Sequence, residues 1–520
     1  MPYINIKEED IVVSSSFDSI ENAVLIFGFD YRKGFDAVEK DEYEPYKLFT
    51  SLKEFVTYFR SINPNFNIAG SSLAVHRPYV TAYDCLANSL PVIYIFMDEY
   101  ANNEDLGFDP VIHLDATTEG TPVREEAIDY IEYDWLSNED AIPEMPASDI
   151  DFDDFNATYW GRHGFYYNEK NDASIGGFED VDGIEDVINR YKAGTKYAAQ
   201  IALQKLIADL PNTQIELEDR LNFPITFVTT CGYEDAIGVD DDGNPDTESV
   251  GIFNYQPVLA SNLGGRLDVI YLYDLPSSKV CTPEYISSTL QLSLADPTET
   301  VNIVYPWGHY NTYSGIQAAH MPGSYGYLMA YARSIKNNKP WLAAAGVNRG
   351  VIPNILDVDY RVRESHVHNW QADEKATSTK NFMVNPIIDL GSNYGKVIFG
   401  NRTSWNGTNA DALTFKSFLN VRILLAYIHK QAFNSSMQHM FEPNDDIVWL
   451  SFKQKVNKLL DEMVSGRGLK WYKWTKLVPE GNHLLGQLKA RLTIRPIEAI
   501  ESFDITISMT DEDIEVSEGE

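Results

Sequence analysis

Apolar residues in this chain gather into short, nearly unbroken runs set between polar, turn-rich stretches. Val24-Leu25-Ile26-Phe27-Gly28, then the runs at 91–97, 267–273, 301–305 and 396–400, are each too short for a stable helix. Runs of this length and density read as strands buried on both faces. Elsewhere the apolar spacing changes to three and four. Thr50-Ser51 followed by Phe55, Tyr58 and Phe59 predicts a capped helix. Further helices are expected at 81–90, 184–210, 283–292, 324–335 and 411–440, the last apolar on most faces around Ile423-Leu424-Leu425. Pro443-Asn444-Asp445-Asp446 starts another, with Trp449, Phe452, Val456, Leu459, Leu460 and Met463 on one side and Ser465-Gly466 ending it. Tyr3, Ile4 and Ile6 predict a short strand ahead of any core; 490–496 and 503–509 predict two closing strands. The order of elements gives a mixed α/β (α+β) fold of several domains. An α/β unit spans 21–97 and 266–345, interrupted by a surface-exposed insertion at 98–265. A second α/β unit follows at 346–510. Residues 1–20 form an extended N-terminal arm, and 511–520 an acidic tail.

Charge sharpens this division. The 520 residues carry 41 Lys and Arg against 77 Asp and Glu, a net charge of −36. Residues 98–250 alone hold 37 acidic and 8 basic side chains, which is most of the imbalance. The stretch 341–500 is slightly basic. A chain this acidic is poorly suited to wrapping nucleic acid, whose affinity comes mainly from Lys and Arg. It is also repelled by anionic membrane surfaces, and its sequence holds neither an apolar leader at the start nor an apolar run of spanning length. Three cysteines, Cys85, Cys231 and Cys281, make neither a disulfide framework nor a zinc ligand set, so a reducing compartment is expected.

Candidate chemistry is sparse. Gly391-Ser392-Asn393-Tyr394-Gly395-Lys396-Val397 is one residue short of a phosphate loop and has Val where a hydroxyl belongs, so it reads as a turn. Pro322-Gly323-Ser324-Tyr325-Gly326 departs from the register of a nucleophile elbow, although His320 is close by. A soluble α/β hydrolase built on His320 and Ser324 is the alternative reading. His366-Val367-His368 sets two imidazoles on one strand face without further ligands at metal spacing. Cys231-Gly232 reads as a small buried thiol, and Asp240-Asp241-Asp242-Gly243 as a turn without the ligand spacing of a calcium loop. No metal, cofactor or catalytic residue is expected. The run 467–476 interleaves basic and aromatic residues, a composition seen in nucleic-acid grooves; at this net charge a protein partner fits better. A third reading, a carbohydrate-binding virion decoration protein, would use the aromatics of 153–168.

Three stretches together resemble the tail sheath proteins of contractile bacteriophage tails. The first runs from Val301-Asn302-Ile303-Val304-Tyr305-Pro306-Trp307 through Met321-Pro322-Gly323-Ser324 to Lys339-Pro340-Trp341-Leu342-Ala343-Ala344-Ala345-Gly346. The second is Phe418-Leu419-Asn420-Val421-Arg422-Ile423-Leu424 with Phe441-Glu442-Pro443-Asn444-Asp445, the most specific of the three. The third is Leu492-Thr493-Ile494-Arg495-Pro496-Ile497-Glu498. Gly323 and Ala344 depart from the family pattern, and 98–250 matches none of it. The resemblance implies a structural subunit without catalysis. Such subunits stack as hexameric rings around an inner tail tube and meet baseplate and tail terminator proteins. They contract to drive the tube through the host envelope, in a virion assembled in the bacterial cytoplasm. It implies terminal strands exchanged between neighbours, here Tyr3, Ile4 and Ile6 with Phe503, Ile505 and Ile507. It also implies an inner C-terminal domain touching the tube, for which Lys455, Lys458, Arg467, Lys470, Lys473 and Lys476 are the candidates. The implied assembly needs neither direct nucleic-acid contact nor membrane insertion.

Overall fold

The computed structural model describes residues 23–28, 45–59, 73–97, 298–363, 366–367, 383–405 and 489–497. With short omissions it also describes 200–276 and 415–477. Its centre is an eight-stranded sheet in the order β13-β12-β8-β7-β4-β1-β3-β2. The strands are β1 (Ala23–Gly28), β2 (Tyr46–Phe49), β3 (Val92–Phe96), β4 (Ile225–Thr229), β7 (Ile270–Asp274), β8 (Val301–Tyr305), β12 (Val384–Asp389) and β13 (Lys396–Ile398). The inner pairs are all parallel; only the edge strands β2 and β13 run antiparallel. β1, β3, β4, β7 and β8 are buried along their whole length. This is why they read as continuous apolar runs instead of alternating ones. A hairpin of β5 (Asp235–Val239) and β6 (Pro245–Ile252) stands apart from this sheet. A three-stranded sheet is formed by β9 (Gly308–Tyr310) and β10 (Ala319–Met321), which lie between β8 and the following helix, with β11 (Ile355–Val358), which comes after that helix.

Helices cover the sheet. α1 (Leu52–Tyr58) starts at Ser51, whose side chain accepts from the Glu54 amide, while the Glu54 carboxylate accepts from Thr50 N. α2 (Leu73–Ala87) packs on β1 and β3, α3 (Gln256–Asn262) follows β6, and α4 (Gly323–Asn337) packs on β7, β8 and β13. The start of α4 explains the Pro-Gly-Ser motif. A Cβ on Gly323 would sit 3.0 Å from the Val304 carbonyl, a tight contact, so glycine lets the helix end press closely on β8 without displacing it. Its N-cap is Pro322, which offers no capping side chain. Asp274, from the end of β7, fills that role by accepting from Ser324 N at 2.7 Å and Ser324 Oγ at 2.5 Å. Beside it, Asp84 on α2 accepts from the Tyr325 hydroxyl at 2.5 Å and from Ser314 N at 2.9 Å, joining α2, α4 and the β9–β10 connection. Burial raises the Asp84 carboxyl to about 7, against the downward pull of those hydrogen bonds.

The expected domain boundaries do not coincide with breaks in the sheet. β4 lies within the stretch read as an insertion, yet it is a central strand between β1 and β7. β12 and β13, read as part of a second unit after 346, extend the same sheet through β8. Asn385 on β12 donates to Asn302 Oδ1 on β8 at 2.7 Å and to the Arg402 carbonyl at 2.6 Å, so this junction is cross-linked inside the core. The helix expected at 81–90 begins earlier, at Leu73. The helix expected at 411–440 is Leu419–Met437 among the described residues. Of the helix expected at 184–210, residues 200 and 202–209 are described and helical; 184–199 lie outside the described residues. The helix at 283–292, the arm 1–20, the strand at 503–509 and the tail 511–520 lie outside the described residues.

Candidate functional site

The last third of the chain builds a layer of two helices and a β-ribbon. α5 (Leu419–Met437) is anchored to the sheet by polar side chains. Asn401 and Asn420 pair reciprocally, Asn401 Nδ2 to Asn420 Oδ1 at 2.7 Å and Asn420 N to Asn401 Oδ1 at 3.1 Å. Arg422, 3% exposed, donates to the Leu267 carbonyl and lies 3.8 Å from Glu299. Lys430 donates to Thr226 on β4. Nearby, Arg266 holds Asp268 with two hydrogen bonds, at 3.1 and 2.8 Å. Burial pushes the Asp268 carboxyl up, but the hydrogen bonds and charge of Arg266 outweigh it and leave it below its ordinary value.

α6 (Asp446–Ser465) follows. Asp445 caps it by accepting from Ile447 N and Val448 N, each at 2.9 Å. One side of α6 packs on α5 and the other carries the ribbon of β14 (Leu469–Leu477) and β15 (Lys489–Pro496). The ribbon's inward positions are fixed by specific contacts. Trp474 donates to Asn457 Oδ1 at 2.8 Å and meets Trp449 edge to face at 5.7 Å. The Tyr472 hydroxyl donates to Asp461 at 2.6 Å; burial first, then that carboxylate, raises the phenol to about 12. Trp341, from the Lys-Pro-Trp motif, is 2% exposed and donates to the Gly466 carbonyl at 3.3 Å, wedging the turn between α6 and β14.

The outward positions differ in character. Strand alternation turns Trp471, Lys473 and Thr475 to the far side, opposite Arg495, Thr493 and Arg491 in register. All six are exposed, so this face is basic with an aromatic at one end. Among the described residues β14 and β15 pair only with each other, so each has an edge of backbone N–H and C=O groups without a strand partner.

The six basic residues expected to share one surface are therefore divided. Lys473 stands on the outer face of the ribbon and Lys470 is exposed at its bulged start. Lys476 turns back to Asp446 at 2.5 Å, and Lys455 donates to Gln438 at 2.7 Å. Lys458 is exposed on α6, and Arg467 occupies the turn after it with φ +61°. Arg491 and Arg495 belong to the outer face and were not singled out. Period-two alternation over 489–496, registered against 469–477, was the signal that carried them. Tyr3, Ile4, Ile6, Phe503, Ile505 and Ile507 lie outside the described residues.

The pieces of the hydrolase reading are spent elsewhere. The Ser324 hydroxyl is fully buried on Asp274, and His320 Nε2 pairs with Asp359 at 2.7 Å. Cys231 is buried, its amide donating to Thr229 Oγ1. His366 stacks on Tyr360. No helix among the described residues is long and apolar enough to cross a membrane.

No family model matches the chain. A tail sheath protein of Vibrio phage KVP40 is 22% identical to it over 222 residues, 42% of this chain and 30% of the relative's length. Solved structures with similar chains include the baseplate of the anti-feeding prophage, 6-fold symmetrised, at 16% identity and a TM-score of 0.39. That match covers 58% of this chain and 72% of that one. Another is the sheath complex of an extracellular contractile injection system, PVC, in the contracted state. Its values are 15% identity, a TM-score of 0.42, and 61% and 80% coverage.

Proposed function

We propose that this chain is the structural subunit of a contractile tail sheath, working by assembly and without catalysis. The observation that carries the proposal is the β14–β15 ribbon, whose two strands have outer edges without a strand partner among the described residues, on a helical support. Such edges bind an added strand through backbone hydrogen bonds, which tolerate rotation of one subunit against the next. The segments to be added are the terminal ones of neighbouring copies, Tyr3-Ile4-Asn5-Ile6 and Phe503-Asp504-Ile505-Thr506-Ile507. Both have alternating or apolar patterns, as an added strand requires. Similarity to a curated tail sheath protein, and the three sequence motifs, support the same reading.

In this reading six subunits close a ring, and rings stack around an inner tube between baseplate and tail terminator. Contraction drives the tube through the host envelope. The outer face of the ribbon, with Lys473, Arg491 and Arg495, turns toward the tube, and the acidic 98–250 stretch faces outward. The test is negative-stain electron microscopy of the purified full-length protein, with and without tubes. Hollow striated cylinders of uniform width are expected. Deleting residues 2–8 abolishes them, while Lys473→Glu with Arg491→Glu and Arg495→Glu blocks assembly on tubes but leaves self-assembly intact. Cylinders of normal yield from the arm deletion would refute strand addition.

A further inference from the structure

We propose that His309, His320 and Asp359 form a binding site for one borderline divalent transition-metal ion, of the Zn²⁺, Co²⁺ or Ni²⁺ class. The site lies on the three-stranded sheet, away from the ribbon. His309 on β9 and His320 on β10 are direct cross-strand partners, so their side chains leave the same face of the sheet side by side. Asp359 follows β11, the strand on the other side of β9, and its amide donates to the Trp307 carbonyl at 3.0 Å. Three neighbouring strands thus deliver three ligands to one point. No loop has to close to gather them.

Side-chain geometry agrees. His320 Nε2 lies 2.7 Å from Asp359 Oδ2, and His309 Nδ1 lies 3.7 Å from Asp359 Oδ1. All three ligand atoms fall within 4.8 Å of one another. Bonds of about 2.0–2.1 Å in a tetrahedral shell place ligand atoms roughly 3.3 Å apart, between the two contacts seen here. The imidazoles are stacked, with centroids 4.9 Å apart at 28°, and the His320 ring lies 5.2 Å from that of Trp307. Trp307 is itself fixed: 4% exposed, its indole N–H on the Leu275 carbonyl at 2.7 Å, with Arg77 over its ring. The wall behind the ligands is therefore rigid, which is what holds first ligands to a metal's geometry.

The donor set selects the metal class. Two imidazole nitrogens and one carboxylate suit zinc and its neighbours. One carboxylate alone gives calcium or magnesium too few oxygens. The His309 and His320 side chains are 44% and 37% exposed, so coordination positions remain open on the solvent side for water or a further donor. Bound metal ties β9, β10 and β11 together across the segment that leads from β8 into α4.

The test uses the full-length protein, stripped with a chelator and titrated with Co²⁺. One equivalent is expected to bind, with a visible ligand-field band that Zn²⁺ displaces and Mg²⁺ and Ca²⁺ do not. The double variant His309→Ala with His320→Ala should weaken binding at least ~100-fold, while circular dichroism reports an unchanged fold. His366→Ala, at the other paired-histidine motif, should leave the titration unaltered. Absence of stoichiometric Co²⁺ binding would overturn the proposal. So would a band that survives the double variant, or one that disappears with His366→Ala.

Discussion

The junction between α6 and the ribbon is held by one indole, and its packing can be tested by a cycle of two substitutions. Trp341 is 2% exposed, meets Tyr427 edge to face at 6.3 Å and donates to the Gly466 carbonyl. Removing it as Trp341→Ala leaves a cavity and an undonated carbonyl, a cost of about 3–5 kcal/mol. Gly468 meets the same indole at its pyrrole edge. A Cβ there would lie 2.6 Å from Trp341 Cδ1 and 2.7 Å from Leu424 Cδ1. Gly468→Ala is therefore an overpacking change worth about 1–3 kcal/mol. In the double variant the new methyl occupies space the indole has vacated, and the end of Leu424 can shift into it. The two costs should then fall short of adding by at least ~1 kcal/mol, beyond the ~0.5 kcal/mol scatter of independent sites. Urea unfolding of the dispersed protein, followed by far-ultraviolet circular dichroism at fixed pH, measures all four corners. Additive costs would show that Trp341 and Gly468 do not share one packed space, and the account of the junction would fail.

Two other outcomes follow from buried carboxylates. Asp84 is raised to about 7 from an ordinary 3.8, so the folded state holds its proton more tightly than the unfolded state. Its contribution to stability therefore falls as pH rises from about 4 to about 7, at about 1.4 kcal/mol per unit, and is flat above. Asp84→Asn imitates the protonated form; its stability relative to the native protein should improve by about 2–3 kcal/mol between pH 5 and pH 8, and parallel pH profiles would contradict the assignment. Ser324→Ala removes a hydroxyl donor from the Asp274 carboxylate and should lower stability by about 1.5–3 kcal/mol in the same urea assay. An unchanged midpoint would mean that Ser324 is not part of the helix cap.

Much of the sheet was legible because its strands are buried on both faces, and unbroken apolar runs such as Val24-Leu25-Ile26-Phe27 betray that directly. β4 was passed over for two physical reasons. Its Ile-Thr-Phe-Val-Thr carries two hydroxyls, and it sits in a stretch whose acidity argues for solvent. Both threonines are fully buried, Thr229 beside Ser324 Oγ at 3.3 Å and Thr226 under Lys430. A strand at a polar crossing between sheet and helices does not look apolar in sequence. The cluster of His309, His320 and Asp359 was illegible for a different reason. Its members are 11 and 39 residues apart, and only the register of three strands brings them together.

The motifs separate by where their partners lie. Asp445, Asn420, Arg422 and Trp341 each satisfy a neighbour within the chain, as cap, backbone lock, carbonyl donor and wedge. Phe441, first residue of Phe-Glu-Pro-Asn-Asp, does not: it is 101% exposed at φ +68°, beside the exposed Met440 and close in sequence to the exposed Ile447. The basic residues divide the same way. Lys455 and Lys476 are committed to Gln438 and Asp446, whereas Lys473, Arg491 and Arg495 are exposed on the outer face of the ribbon. Reversing charge at Lys455 thus disturbs an internal contact, while reversing it at Arg491 and Arg495 changes only what the ribbon presents outward. The ribbon is the place where a substitution tests association with little disturbance of folding, since α6 and Trp474 fix its inner face regardless of the outer one.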